Sequence, residues 1–131
     1  MTASSTDPLN AALRGCARGI YPDEAGVELL IAHAAFLHRD DFTSRFVGHA
    51  TNATGTRLAV IDWAAAIAAL DAGHLSCSGG EQRMLRLAAS LASGIPVSLR
   101  DTLTGIDQHN IELVITAVLH AWGQRPEPQI P

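Results

Sequence analysis

The sequence predicts an all-α fold, a compact single-domain bundle of about five or six helices. Three observations carry that expectation. Apolar residues recur at helical spacing almost throughout residues 8–122. Most segments open on Asp, Ser or Pro and close on Gly, the pattern of capped helices. At 131 residues the chain suits one domain, and a domain of this size buries about two thirds of its unfolded surface, enough for a core without metal or disulfide staples.

The elements follow in order. Residues 1–7 read as a disordered N-terminus, and residues 123–131, "GQRPEPQIP", as a disordered tail whose prolines stop any helix. Between them lies the helical domain, 8–122. Asp7 and Pro8 open a first helix with Leu9, Ala12, Leu13, Cys16, Ala17 and Ile20 on one face. In "YPDEAGVELLIAHAAFLHR", Pro22 presets φ and Asp23 and Glu24 favour the positive end of the helix dipole. Val27, Leu30, Ile31, Ala34 and Leu37 form its main stripe, and Leu29, Ala32 and Phe36 add a second apolar face, so this helix belongs in the core. "RDDFTSRFVGHA" reads as a short helix carrying Phe42, Phe46 and Val47. "TNATGTR" is a loop, and "LAVI" has no evident strand partner, so it reads as the approach to an Ala-rich helix N-capped by Asp62 and stopped at Gly73.

The next segment, "LSCSGGEQRMLRLAASLASG", combines a capping box with a buried stripe. Ser78 and Glu81 form S-x-x-E, and Met84, Leu87, Ala88, Leu91 and Ile95 repeat on one face until Gly94 and Pro96 end the helix. "IPVSLRDTLTG" follows as a short helix ending at Gly105. The last helix starts at Asp107 and stops at Gly123, with Ile111, Val114, Ile115, Val118 and Trp122 as a continuous stripe. The Ala-rich helix and this final Ile/Val helix are expected at the centre of the bundle.

Composition narrows the function. All nine basic residues are arginine, so no lysine is present to form a Schiff base or to reach phosphates from a phosphate-binding loop. The net charge of −4, with no arginine cluster, argues against nucleic acid, whose binders carry a basic patch. Cys16 and Cys77 lie far apart and read as buried core residues. With the polar start "MTASSTDPLN" they predict a reducing cytoplasm, and no apolar run approaches the ~20 residues of a membrane span. The six histidines, His33, His38, His49, His74, His109 and His120, show no metal-ligand spacing, so neither metal nor other cofactor is expected. No catalytic residue is assigned, because nucleophile signatures are absent.

Residues Ser78-Gly79-Gly80-Glu81-Gln82-Arg83, followed by "IPVSLRD" and "TGID", resemble the signature region of ABC-type ATPases. The resemblance covers 78–107, under a quarter of the chain, and implies a nucleotide-driven machine. The residues depart from that pattern in four places. No GxxxxGK[ST] loop occurs, Thr102 stands where the family has a catalytic glutamate, Ser98 and Arg100 interrupt the strand, and the first half of the chain is helical. In its lysine-free, Ala/Arg-rich style the chain also resembles small uncharacterised helical proteins of high-GC actinobacteria, which carries no activity with it.

Two glycines at a helix start are costly, and they permit close approach of a ligand, of another helix, or a hinge. Three functions are therefore weighed. The leading one is a non-enzymatic interaction module that self-associates or binds another protein, since the charged fraction is only 17% and apolar faces are abundant. The second is a binder of a small anionic ligand at Ser78, Gly79 and Gly80, with Arg83 as countercharge. The third is a helix-turn-helix regulator formed by residues 62–94 and presenting Arg83 and Arg86, although the turn "AGHLSCS" exceeds the usual three or four residues.

Overall fold

The computed structural model describes residues 7–123, and the expectations for residues 1–6 and 124–131 lie outside them. The described residues form α1 (Asp7–Ala17), α2 (Tyr21–His33), α3 (Asp40–Phe46), β1 (Val47–Thr51), β2 (Arg57–Ile61), α4 (Trp63–Asp71), α5 (Gly79–Ser93), α6 (Leu99–Leu103) and α7 (Gln108–Trp122). The architecture is mostly helical but not all-α, because β1 and β2 pair as an antiparallel hairpin. Asp7, placed by its sequence in the N-terminal segment, already belongs to α1.

The hairpin corrects the reading of 47–61. Val47 and the "LAVI" strand pair in the register Val47↔Ile61 to Thr51↔Arg57, so the missing partner lies in what reads as the end of the preceding helix. The loop between them is built by Asn52. Its Oδ1 accepts from the N–H groups of Thr54 and Thr56 at 3.0 and 2.9 Å and from the Thr54 hydroxyl, while Gly55 takes φ +84°. Ala59 and Ile61 are buried on one face against the core, and Val60 stands exposed on the other.

The bundle is organised around α2, which contacts α1, α5 and α7. Residues Ala25, Val27, Leu29 and Leu30 are buried on several sides of it, the pattern of a central helix. The position that admits this packing is Gly26. A Cβ built there would lie 2.5 Å from Ala92 Cβ and 2.7 Å from the Ala88 carbonyl oxygen, so α5 approaches to backbone contact. The Ala-rich α4, expected at the centre, packs instead against α5 and α3, and α7 flanks α2 with one face left to solvent.

α2 also ends earlier than its stripe suggests. Ala34 adopts φ 70°, ψ −5° and donates to the Leu30 carbonyl, closing the helix with a left-handed residue where glycine is usual. Ala32 is exposed, and Phe36 and Leu37 are buried from the turn that follows. Phe36, Phe42 and Phe46, all the phenylalanines of the chain, stack in a row with centroids 5.2 Å apart. Arg39 lies over Phe36 and Arg45 over Phe46, and their guanidiniums donate to the carbonyls of Ser76 and His74. The α4–α5 connection is thereby tied to the stack.

The helix ends elsewhere follow their sequence. Asp62, Ser78, Ser98 and Asp107 cap the helices that follow them. Gly73 (φ +76°) closes α4 in a Schellman motif, with His74 N–H donating to the Ala69 carbonyl and Gly73 N–H to the Leu70 carbonyl. Cys16 is exposed and Cys77 half-buried, so neither is the core residue expected.

Two substitutions in α2 test this packing with opposite signs. Gly26→Ala gains ~1 kcal/mol of helix propensity but overpacks against backbone that cannot yield, a cost of ~1–3 kcal/mol, so a net loss is expected. Ala34→Gly relieves ~1–2 kcal/mol of left-handed strain against ~0.5–1 kcal/mol of glycine entropy, so a gain of about 0.5 kcal/mol is expected. Denaturant midpoints of the two variants check both.

Candidate functional site

At the start of α5 the structure places the expected residues as a cap. Ser78 Oγ accepts from the Glu81 N–H at 3.1 Å, and Ser78 N–H donates to Glu81 Oε1 at 2.9 Å. The chain's own carboxylate thus stands beside the positive end of α5. A Cβ at Gly80 would meet nothing within 4 Å, and one at Gly79 would meet only the Arg83 guanidinium, at 3.1 Å. The close helix packing that two glycines suggest therefore does not occur here; it occurs at Gly26.

Arg83 turns across to the loop before α7, where its Nη1 donates to the Gly105 carbonyl at 3.4 Å. A Cβ at Gly105 would run into that guanidinium. Arg83 also lines a cleft of about 350 Å³ with Gln82, Arg86, Ser98 and Asp101, which Ser78, Gly79 and Gly80 do not line. Arg86 pairs with Asp71 at 2.7 Å. Residues Leu99–Leu103 are helical where the ATPase pattern needs a strand, and the buried Thr102 hydroxyl donates to the Ser98 carbonyl at 2.6 Å.

Two other features stand out, and neither was singled out as a site from sequence. The first is α7. Its buried residues are Val114, Ala117 and His120, which face α2. Of the expected stripe, Val114 is buried and Ile111 half-buried, but Ile115 is 53%, Val118 50% and Trp122 80% exposed, and Leu119 beside them is 41% exposed. The more apolar face of the helix is turned outward. The inner face is chosen by Ala117, small enough for close approach, and by His120, which finds a partner on α2.

That partner begins the second feature. Glu24 and His120 are both buried, and His120 Nε2 lies 2.8 Å from Glu24 Oε1. Glu24 Oε2 accepts from the Gly19 N–H at 2.8 Å, in a loop where Gly19 takes φ +91°. The Tyr21 ring leans against the His120 ring, centroids 6.4 Å apart. Above the pair opens a pocket of about 370 Å³ lined by Arg14, Ala17, Arg18, Gly19, Glu24, Val27, Glu28 and His120. Arg14 makes two bonds to Glu28, Nε–Oε2 2.7 Å and Nη2–Oε1 3.1 Å, which raises the affinity of the guanidinium for its proton. Glu24 and Glu28 are spaced four apart on α2 and share a helix face, and Arg14 on α1 and Arg18 in the turn that follows it are also four apart. That spacing was a legible signal. The separation of 96 residues between Glu24 and His120 was not.

Among the described residues no group of three His, Cys, Asp or Glu side chains could hold a metal ion. No described helix is long and apolar enough to cross a membrane. No family model, curated protein or solved structure matches the chain.

His33, at the end of α2, supplies a pH test. Burial lowers its pKa below the ordinary histidine value; Glu81 and Asp107 oppose the shift and His109 adds to it. Its Nδ1 is buried without a hydrogen-bond partner. A histidine held neutral in the fold binds its proton more readily unfolded, so stability present above the unfolded value of about 6.5 is lost as pH falls. His33→Asn is expected to flatten the decline in melting temperature below about pH 6.5; an unchanged slope would assign the decline to other groups.

Proposed function

We propose that this protein is an interaction module that self-associates through the outer face of α7. One observation carries the reading: the stripe Ile115, Val118, Leu119 and Trp122 faces solvent although the same helix has a buried side. Trp122 weighs most. A Trp side chain buries about 150–250 Å² when covered, and at 80% exposed most of that remains available here. Contiguous apolar patches of a few hundred Å² on a folded surface mark interaction sites.

A second copy fits this face better than an arbitrary partner. Ile111, Ile115, Val118 and Trp122 follow a 4-3-4 spacing, the seam by which paired helices interlock. Two α7 helices running antiparallel about a twofold axis near Val118 and Leu119 set Trp122 of each copy against Ile115 of the other, an isologous contact. The exposed positions of the C-terminal half carry no Asp, Glu or Arg, so the pairing opposes no like charges along the seam. A stable complex covers ~800 Å² per partner, more than the face of a single helix is expected to supply, so the association is expected to be weak and concentration-dependent.

Sedimentation equilibrium over micromolar to millimolar concentrations tests this. A monomer–dimer equilibrium is expected, with Trp122→Glu shifting it to monomer by tenfold or more in Kd (~1.4 kcal/mol or more) while the helical circular dichroism signal stays unchanged. A chain that stays monomeric throughout, or a Trp122→Glu variant that dimerises as before, would remove the proposal.

A further inference from the structure

We infer that the cleft between α5 and the segment 96–102 binds a small phosphate monoester with hydroxyl groups beside its phosphate, the chemistry of a sugar phosphate. The cleft holds about 350 Å³, within the ~300–1,000 Å³ usual for small-molecule sites. No residue of α7 lines it, so it is separate from the self-association face.

Three polar side chains enter the cleft from α5. Arg86 follows Arg83 by three residues and Gln82 by four, so the three share a helix face, and all are half-buried. Both guanidiniums keep donors unused. Arg83 makes a single hydrogen bond with the described residues, the long 3.4 Å contact of Nη1 with the Gly105 carbonyl, and no ion pair. Its Nε–Nη2 edge is therefore open, the same edge by which Arg14 grips Glu28 and Arg39 grips Asp41. Arg86 sends both of its bonds from Nη2, to Asp71 at 2.7 Å and to Gln82 Oε1 at 3.4 Å, which leaves Nε and Nη1 without a described partner. Ser98 adds a hydroxyl that accepts from the Asp101 N–H and has its own proton to give.

Arg83 is held in place by the space at Gly105. A Cβ there would collide with the guanidinium, yet Gly105 does not take the positive φ that calls for glycine. The missing side chain matters here as room for Arg83. A half-buried guanidinium with one long bond is poorly compensated by the protein itself. A phosphate monoester compensates it well, since three terminal oxygens and a charge of about −1.5 to −2 can engage two guanidiniums at once.

Asp101 narrows the ligand further. It is the one carboxylate lining the cleft, and it makes no ion pair with a described residue. It repels a bare anion and accepts from hydroxyls, so a phosphate with neighbouring hydroxyl groups satisfies both sides of the cleft. Asp71 balances part of the Arg86 charge, which leaves Arg83 the larger share of the phosphate. Pro96 and Val97 supply an apolar wall for the carbon skeleton.

The test is isothermal titration of the full chain, in low-salt buffer free of phosphate, with glycerol phosphate, ribose phosphate and glucose phosphate. Each is compared with its dephosphorylated parent, with inorganic phosphate and with gluconate as a carboxylate of the same kind. The expected result is binding by at least one ester, with every comparison compound weaker by roughly tenfold or more. Arg83→Gln should weaken that binding by a similar factor while the helical circular dichroism signal stays unchanged. Gly105→Ala, which keeps the arginine but displaces it, should do the same to binding. Asp101→Asn should tighten inorganic phosphate and narrow its gap to the ester. Failure of all three esters to bind would overturn the proposal, as would a comparison compound that binds as tightly as its ester. Undiminished affinity in Arg83→Gln or Gly105→Ala, or an unchanged gap in Asp101→Asn, would overturn it as well.

Discussion

The contact of α2 with α5 at Gly26 is the constraint on which the rest of the structure depends. Because the Ala88 carbonyl and Ala92 lie where a side chain would be, the two helices meet at backbone distance. Close approach extends dispersion contact along both helices, and it brings Met84, Leu85, Ala88 and Ala89 into full burial. With α5 seated so closely on one side, α2 is free to receive α1 and α7 on others. Interiors are packed too tightly for a central helix to shift by even a methyl group without moving its neighbours.

The placement of α7 follows from what α2 offers it. α2 presents Glu24 in its first turn, where a carboxylate also favours the positive helix end, and α7 presents His120 in its last turn. Their 2.8 Å contact fixes the relative register of two helices whose apolar contacts alone leave several rotations open. Such a pair contributes specificity more than net stability, because both groups are desolvated to form it. The cost appears elsewhere on α7. Rotating His120 inward rotates Ile115, Val118 and Trp122 outward, so the exposed apolar seam and the buried polar floor of the pocket are two results of one choice. A helix with apolar residues over much of its circumference cannot bury them all against a single neighbour.

Much of the fold was legible in particular residues. Ser78 with Glu81, Asp62, Asp107, Gly73, Gly94 and Gly123 each mark a boundary through local hydrogen bonding or a left-handed turn, and local chemistry is what a sequence states directly. The hairpin was hidden because Val47–Thr51 continues a helical pattern and its pairing with Arg57–Ile61 depends on the Asn52 loop. The early end of α2 was hidden because Ala34 carries no sign that it adopts a positive φ. Cys16 reads as a core residue by type, yet the hairpin approaches α1 beside it and leaves it exposed.

The sequence by itself determined where most helices begin and end, that no GxxxxGK[ST] motif occurs, and that the apolar residues suffice for one core. Those properties depend on neighbours within one turn or on composition. Only the tertiary structure decided which glycine admits a close helix contact, which face of α7 turns inward, and that Glu24 and His120 share the floor of a pocket with Arg14, Arg18 and Glu28. Each of these depends on which helix lies opposite. Amphipathic periodicity gives a helix a preferred face but not its partner, and small differences in packing and buried hydrogen bonding choose among partners that look equally apolar along the chain.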